Sequence, residues 1–166
     1  MQRRHPHVYD LVKIGFQTAQ VTNGKEQDFA DFLRSSEGFI SELSLVAEED
    51  GNLVGQIMLT KTYIEDGSDR HEVLLLGPLT VALEHRNKGI ASKLIEEGLL
   101  LARQKGYASV ILVGNPVFYR RFGFKTSESF GVTNTNGIPG EYVLACELKP
   151  EAFKGVKGSI TFVTDV

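Results

Sequence analysis

The 166 residues include a single cysteine, Cys146, so no intramolecular disulfide can form and a reducing compartment is the natural expectation. No apolar run approaches the roughly 20 residues a membrane span needs. The opening MQRRHPHVYD is charged and lacks the apolar stretch of a signal peptide. The chain is therefore expected to be cytoplasmic, with no membrane partner. It also lacks an excess of positive charge: 18 Lys and Arg stand against 21 Asp and Glu, a formal net charge of −3. That excludes nucleic-acid binding driven by the whole surface, though not a local basic pocket for a phosphorylated cofactor. There is no internal repeat and no low-complexity tract. No Gly-x-x-x-x-Gly-Lys-Ser/Thr run occurs, and no Gly-x-Gly-x-x-Gly follows a strand, which removes the common nucleotide-binding turns. His5, His7, His71 and His85 form no ligand-spaced cluster with acids, so no metal site is expected.

What remains is an ordinary globular composition, 42% hydrophobic and 23% charged. Its length suits one domain, residues 1–166, burying roughly two-thirds of its unfolded surface. Apolar positions 8, 11, 12 and 16, then Phe29, Phe32 and Leu33, have helical spacing and predict two short N-terminal helices. Residues 43–47 and 53–63 flank Asp50-Gly51-Asn52 and predict a hairpin. Residues 72–81 (EVLLLGPLTV) read as a strand buried on both faces, with pairing broken at Gly77-Pro78. A long helix is expected over 88–105, closed by Gly106. A buried strand follows at 108–113, then a short aromatic helical segment at 115–122 whose Phe122, with the following Phe124, reads as core. The last firm strand is expected at 141–148, after a flexible loop at 133–140.

The chemistry concentrates in residues 77–95, GPLTVALEHRNKGIASKLI. A broken strand leads through a polar turn into a helix start carrying Arg86-Asn87-Lys88-Gly89-Ile90-Ala91. A helix N-terminus presents unpaired N–H groups and a partial charge of about +0.5, a cradle for phosphate. Gly89 lets a diphosphate approach the backbone, Ala91 keeps the way clear, and Arg86 and Lys88 add full charges. The strand break upstream would free N–H and C=O groups to pair with an extended ligand. Downstream, Phe118-Tyr119-Arg120-Arg121-Phe122-Gly123-Phe124 supplies a tyrosine hydroxyl able to give up a proton.

With Leu76 to Val81, Arg86 to Ala91 and Tyr119 to Phe124 in this order and spacing, the chain resembles the GCN5-related N-acetyltransferase (GNAT) superfamily. It is most similar to small bacterial members of it. The resemblance implies an α/β GNAT fold, a mixed, mostly antiparallel central sheet splayed at the cofactor site and flanked by helices. It implies acetyl-CoA as co-substrate and transfer of the acetyl group to a small-molecule or peptide amine by direct attack. A homodimer stays open. The same fold serving as a non-catalytic acyl-CoA sensor is the rival; an intact tyrosine favours the enzyme.

Residue by residue, the resemblance implies that the backbone of Leu79, Thr80 and Val81 pairs with the pantetheine arm. The Leu79 N–H polarises the thioester carbonyl. The diphosphate rests on the N–H groups of Asn87, Lys88, Gly89, Ile90 and Ala91, assisted by Arg86. Asn115 bonds the pantetheine amides, although it precedes Tyr119 by four residues where many members have seven. Tyr119 protonates the departing thiolate. Cys146 reads as core rather than nucleophile. Where some members carry a glutamate base this chain has Leu75, leaving Glu72, His71, Glu26 or an ordered water for that task. The loops at 16–27 and 133–140 would select the acceptor.

Overall fold

Asp50 and Gly51 both take positive φ, 53° and 79°, the backbone a two-residue hairpin turn demands. They join β1 (Ser44–Glu49) to β2 (Asn52–Asp66), paired antiparallel from Ser44↔Met58 to Glu49↔Asn52. The computed structural model describes residues 37–162. The two expected N-terminal helices, the loop at 16–27 and Glu26 lie outside the described residues.

The described chain falls into two compact units, each fed by both long strands of a second hairpin. That hairpin joins β2 to β3 (Asp69–Val81) through Gly67, another positive-φ turn residue. The first unit takes residues up to Thr60 and Leu76–Leu101. It holds β1, the first part of β2, the end of β3, a 3-10 turn at Leu83–His85, and most of α1 (Ile90–Gln104). Leu94, Ile95, Leu99 and Ala102 of α1 are buried, the face that the 3.6-residue period predicts. The helix lies close on β2 because Gly55 and Gly98 carry no side chain. A Cβ at Gly55 would stand 3.0 Å from both Ile90 and Leu94, and one at Gly98 would stand 3.0 Å from Leu59. Gly106, at φ 90°, ends the helix by donating to the Arg103 carbonyl.

The second unit, Lys61–Leu75 with Ala102–Val163, carries a sheet in the order β5-β7-β4-β3-β2-β8-β6. Its further strands are β4 (Ser109–Val113), β5 (Lys125–Thr126), β6 (Val132–Asn134), β7 (Val143–Glu147) and β8 (Gly158–Ile160). β4 pairs parallel with β3 at Leu74↔Val110 and Leu75↔Ile111, and antiparallel with β7. β8 pairs parallel with β6. One core cluster joins Ile64, Val73, Ile111, Val143, Phe153 and Ile160 among others. Each such fully buried side chain contributes about 1.5–3 kcal/mol.

Two expectations are corrected. β3 is not buried on both faces: from Leu74 it alternates, with Leu74, Leu76, Pro78 and Thr80 buried and Leu75, Gly77, Leu79 and Val81 half-covered. The strand runs to Val81 as expected: its register with β4 covers only Leu74 and Leu75, while its other neighbour, β2, still borders it. The segment 133–140 is not a loose loop. Asn134 Oδ1 accepts from the backbone of Asn136 and Ile138, and Asn136 exchanges two hydrogen bonds with the backbone of Phe162. Asparagine amides here replace missing ladder bonds. The tie to strand β8, beyond the last strand expected, comes from Thr135, whose N–H donates to the Ile160 carbonyl and whose hydroxyl meets that of Thr161.

Candidate active site

In the first unit, β3 ends at Val81 and the chain turns through Leu83–His85 toward α1. Asn87 (φ 65°) and Gly89 (φ 80°) twist the backbone into the left-handed region twice within three residues. The helix therefore begins at Ile90, two residues later than the sequence suggests, and Arg86–Gly89 form an approach to it. Asn87, Lys88 and Gly89 are exposed, and among the described residues no atom lies within 4 Å of a Cβ built on Gly89. No acidic side chain occupies the first turn of α1. Open space, a bare backbone and a helix N-terminus without competing carboxylates fit an anionic diphosphate.

Arg86 is half-buried and its Nε donates to the Val81 carbonyl at 3.1 Å. It therefore ties the end of the strand to the turn, a structural task the sequence did not disclose. Leu79 and Val81 lie on the half-covered face of β3, and Thr80 is 4% exposed on the other. His85 Nδ1 stands 3.2 Å from Glu49 Oε2 of the first hairpin, without the geometry of a hydrogen bond.

In the second unit, β4 runs out at Val113, and Gly114-Asn115-Pro116 redirects the chain into α2 (Pro116–Tyr119). Asn115 Oδ1 accepts from Val117 N at 2.9 Å, an N-cap with proline at the first helical position. Its acceptor atom is thus committed to the helix. A 3-10 turn at Arg120–Phe122 follows, stopped by Gly123 at φ 92°. Phe124 is buried as expected; Phe122 is only half-buried, a correction explained by its place in an outer aromatic stack with Phe118.

Tyr119 packs edge-on against Phe118 (5.0 Å between centroids) and Phe124 (5.7 Å). Burial pushes its hydroxyl up to about 12, because a phenolate would lose its hydration. It stays a proton donor throughout the neutral range. Burial likewise pushes the Cys146 thiol up to about 12, only partly offset by Arg103, which leaves an unreactive thiol. Of the base candidates, His71 lies 3.4 Å from Asp66 and Glu72 is exposed; Leu75, at the glutamate position of some members, packs on the second unit's core. Among the described residues, no group of three or more His, Cys, Asp or Glu could hold a metal ion. No described helix is long and apolar enough to cross a membrane.

Gly114 escaped the sequence reading. A Cβ there would lie 2.6 Å from Tyr119 Cε2 and 3.1 Å from Leu112 Cδ1. Its φ is not in the left-handed region, so the glycine answers a need for space rather than for an unusual turn. Gly114→Ala should displace the Tyr119 ring; if that ring is the general acid the family resemblance implies, misplacing it by about 1 Å costs about 10²-fold in rate. The expected result is a fall in kcat of that order with CoA affinity nearly unchanged, read by steady-state kinetics and calorimetry. Wild-type kcat would show that the ring's seat is immaterial.

A model of the acetyltransferase (GNAT) domain matches residues 41–126, just over half of the chain. The chain belongs to the GNAT acetyltransferase family. This GNAT chain is 30% identical over 125 residues to the uncharacterized N-acetyltransferase YjhQ of Escherichia coli K12, covering 75% of this chain and 66% of that protein. It is 37% identical over 90 residues to YhbS of the same strain, covering 54% and 52%. The matches thus span about half to two-thirds of these relatives' lengths. A GNAT family acetyltransferase from Brucella melitensis, solved in complex with acetyl-CoA, superposes with a TM-score of 0.78 at 28% identity, covering 99% of this chain and 94% of that one. The E. coli YhbS structure, solved with CoA, gives 0.82 at 23% identity over 96% and 84%, which establishes the shared fold. The expected GNAT architecture is therefore observed.

Proposed function

We propose that this GNAT chain transfers an acetyl group from acetyl-CoA to a small-molecule or peptide amine, without a covalent enzyme intermediate. The observation that carries the reading is the Arg86–Gly89 turn, twice left-handed and open above Gly89, leading into α1. The backbone N–H groups of Asn87 to Ala91 hold the diphosphate. The backbone at the end of β3, Leu79 to Val81, receives the pantetheine arm as an added strand. Because Asn115 Oδ1 caps α2, its Nδ2 is the atom that serves a pantetheine carbonyl. Arg86 both ties down Val81 and adds positive charge beside the turn.

In the reaction a neutral amine nitrogen attacks the thioester carbonyl carbon, and negative charge gathers on the oxygen. The Leu79 N–H stabilises that charge. As the tetrahedral intermediate collapses, the C–S bond breaks and the sulfur takes the Tyr119 hydroxyl proton. The nitrogen's excess proton passes to an ordered water, since the glutamate position of some members is Leu75 here. Tyr119 recovers its proton from solvent after product leaves.

The test is direct. Calorimetry with CoA and acetyl-CoA should show binding in the micromolar range, about −8 kcal/mol. A panel of amines, peptides and aminoglycosides with acetyl-CoA, read by thiol release, should then give turnover with at least one class. No binding of either thioester or thiol at millimolar concentration would overturn the proposal. Binding with no thiol release from any acceptor would favour an acyl-CoA sensor.

A further inference from the structure

Gln56 lies in the middle of β2, inside the otherwise apolar run from Leu53 to Leu59 apart from Gly55, and is 1% exposed. An amide in such a place must find partners, because a buried polar group left unpaired is costly. Its Nε2 donates to the Pro78 carbonyl at 3.0 Å and reaches Thr80 Oγ1 at 3.4 Å. These acceptors flank Leu79 on either side.

The Pro78–Leu79 peptide is trans, so its N–H points opposite to its C=O. A donor on the Pro78 oxygen therefore directs the Leu79 N–H away from Gln56. The same bond draws electron density onto the oxygen and leaves the N–H a stronger donor, as hydrogen-bonded chains polarise one another. Methionine or leucine would fill the same space without an amide to satisfy.

We propose that Gln56 is the positioning residue of the oxyanion donor: it fixes and polarises the Pro78–Leu79 peptide so that the Leu79 N–H meets the thioester carbonyl. This rests on the acyl-CoA reading above. Gln56 touches neither reactant; it acts through the peptide it holds.

The experiment is isotope-edited infrared spectroscopy of acetyl-CoA, carbon-13 labelled at the carbonyl and bound to the full chain. In the wild type the thioester carbonyl band should lie below its position in solution, as a polarised carbonyl requires. Gln56→Met has similar length and no donor. It should return the band by about half or more toward the solution position, while CoA affinity by calorimetry changes less than about threefold. Gln56→Glu should restore the wild-type band, because burial keeps its carboxyl protonated and able to donate to the Pro78 oxygen. A wild-type band in Gln56→Met, or a Gln56→Glu protein that behaves like Gln56→Met, would overturn the inference. Should Gln56→Met fail to fold, Gln56→Leu is read in the same way, and a wild-type band there overturns the inference. Failure of the acyl-CoA reading looks different: the wild type then binds no acetyl-CoA at all.

Discussion

Tyr119→Phe is expected to lower turnover by about 10²- to 10⁴-fold, the span a positioned general acid contributes, and to leave CoA affinity intact. The ring is held by Phe118, Phe124 and the vacant side of Gly114, none of which needs the hydroxyl. Phenylalanine keeps that packing and removes only the hydroxyl with its proton. A thiolate leaving into a desolvated pocket is poorly screened, so the missing proton raises the barrier. Were the hydroxyl merely satisfying a nearby carbonyl, stability would drop and rate would not. Melting temperature, CoA affinity and turnover on a responsive amine, measured together, separate the two roles. A folded, CoA-binding mutant with wild-type kcat would remove Tyr119 from the chemistry.

The raised hydroxyl also sets a pH window. Tyr119 titrates near 10 when unfolded and at about 12 when folded, so its contribution to stability is complete below about pH 10 and is lost as pH rises toward 12. Within that range the native state holds a proton the unfolded state has shed. The rate should accordingly show no alkaline fall from this group below about pH 11, whereas an ordinary tyrosine would begin to release its proton near pH 10.

The second large effect belongs to Gly89. At φ 80° a β-branched side chain is strained, and a Cβ projects into the open space assigned to the diphosphate. Gly89→Val should weaken CoA by roughly 100-fold or more, the loss of one or two charge-assisted hydrogen bonds at about 1.5–3 kcal/mol each. Strain and obstruction can be told apart with Gly89→Asn. Asparagine tolerates the left-handed region, and the chain already uses it at Asn87, φ 65°. If obstruction governs, Gly89→Asn stays folded yet binds CoA about tenfold or more weakly. If conformation alone matters, asparagine restores affinity. Unchanged affinity in both variants would take the diphosphate away from this turn.

Much of this was legible without coordinates because it depends on neighbours in the chain. Asp50-Gly51 announces a hairpin since both residues accept positive φ, and Gly106 and Gly123 announce the ends of their helices for the same reason. The buried face of α1 follows from its apolar spacing, and the order of the strand, glycine turn and tyrosine segment pointed to the family. The turn at Arg86–Gly89 was visible as a composition of small and basic residues leading into a helix.

What tertiary structure alone decided are the tasks that depend on residues distant in sequence. Nothing near Gln56 in the chain shows that its amide is spent on Pro78, 22 residues later, although a lone glutamine in an apolar run was a signal to question. Gly114 reads as a turn residue until the ring of Tyr119 is found where its side chain would be. The 133–140 segment has the composition of a loose loop, and only the arrival of residues 160–162 turns Thr135 and Asn136 into its anchors. Arg86 reads as a phosphate ligand, yet its Nε already holds the Val81 carbonyl. Short-range sterics write themselves into residue type at fixed spacing; long-range packing and hydrogen bonding are settled only when the fold brings the partners together.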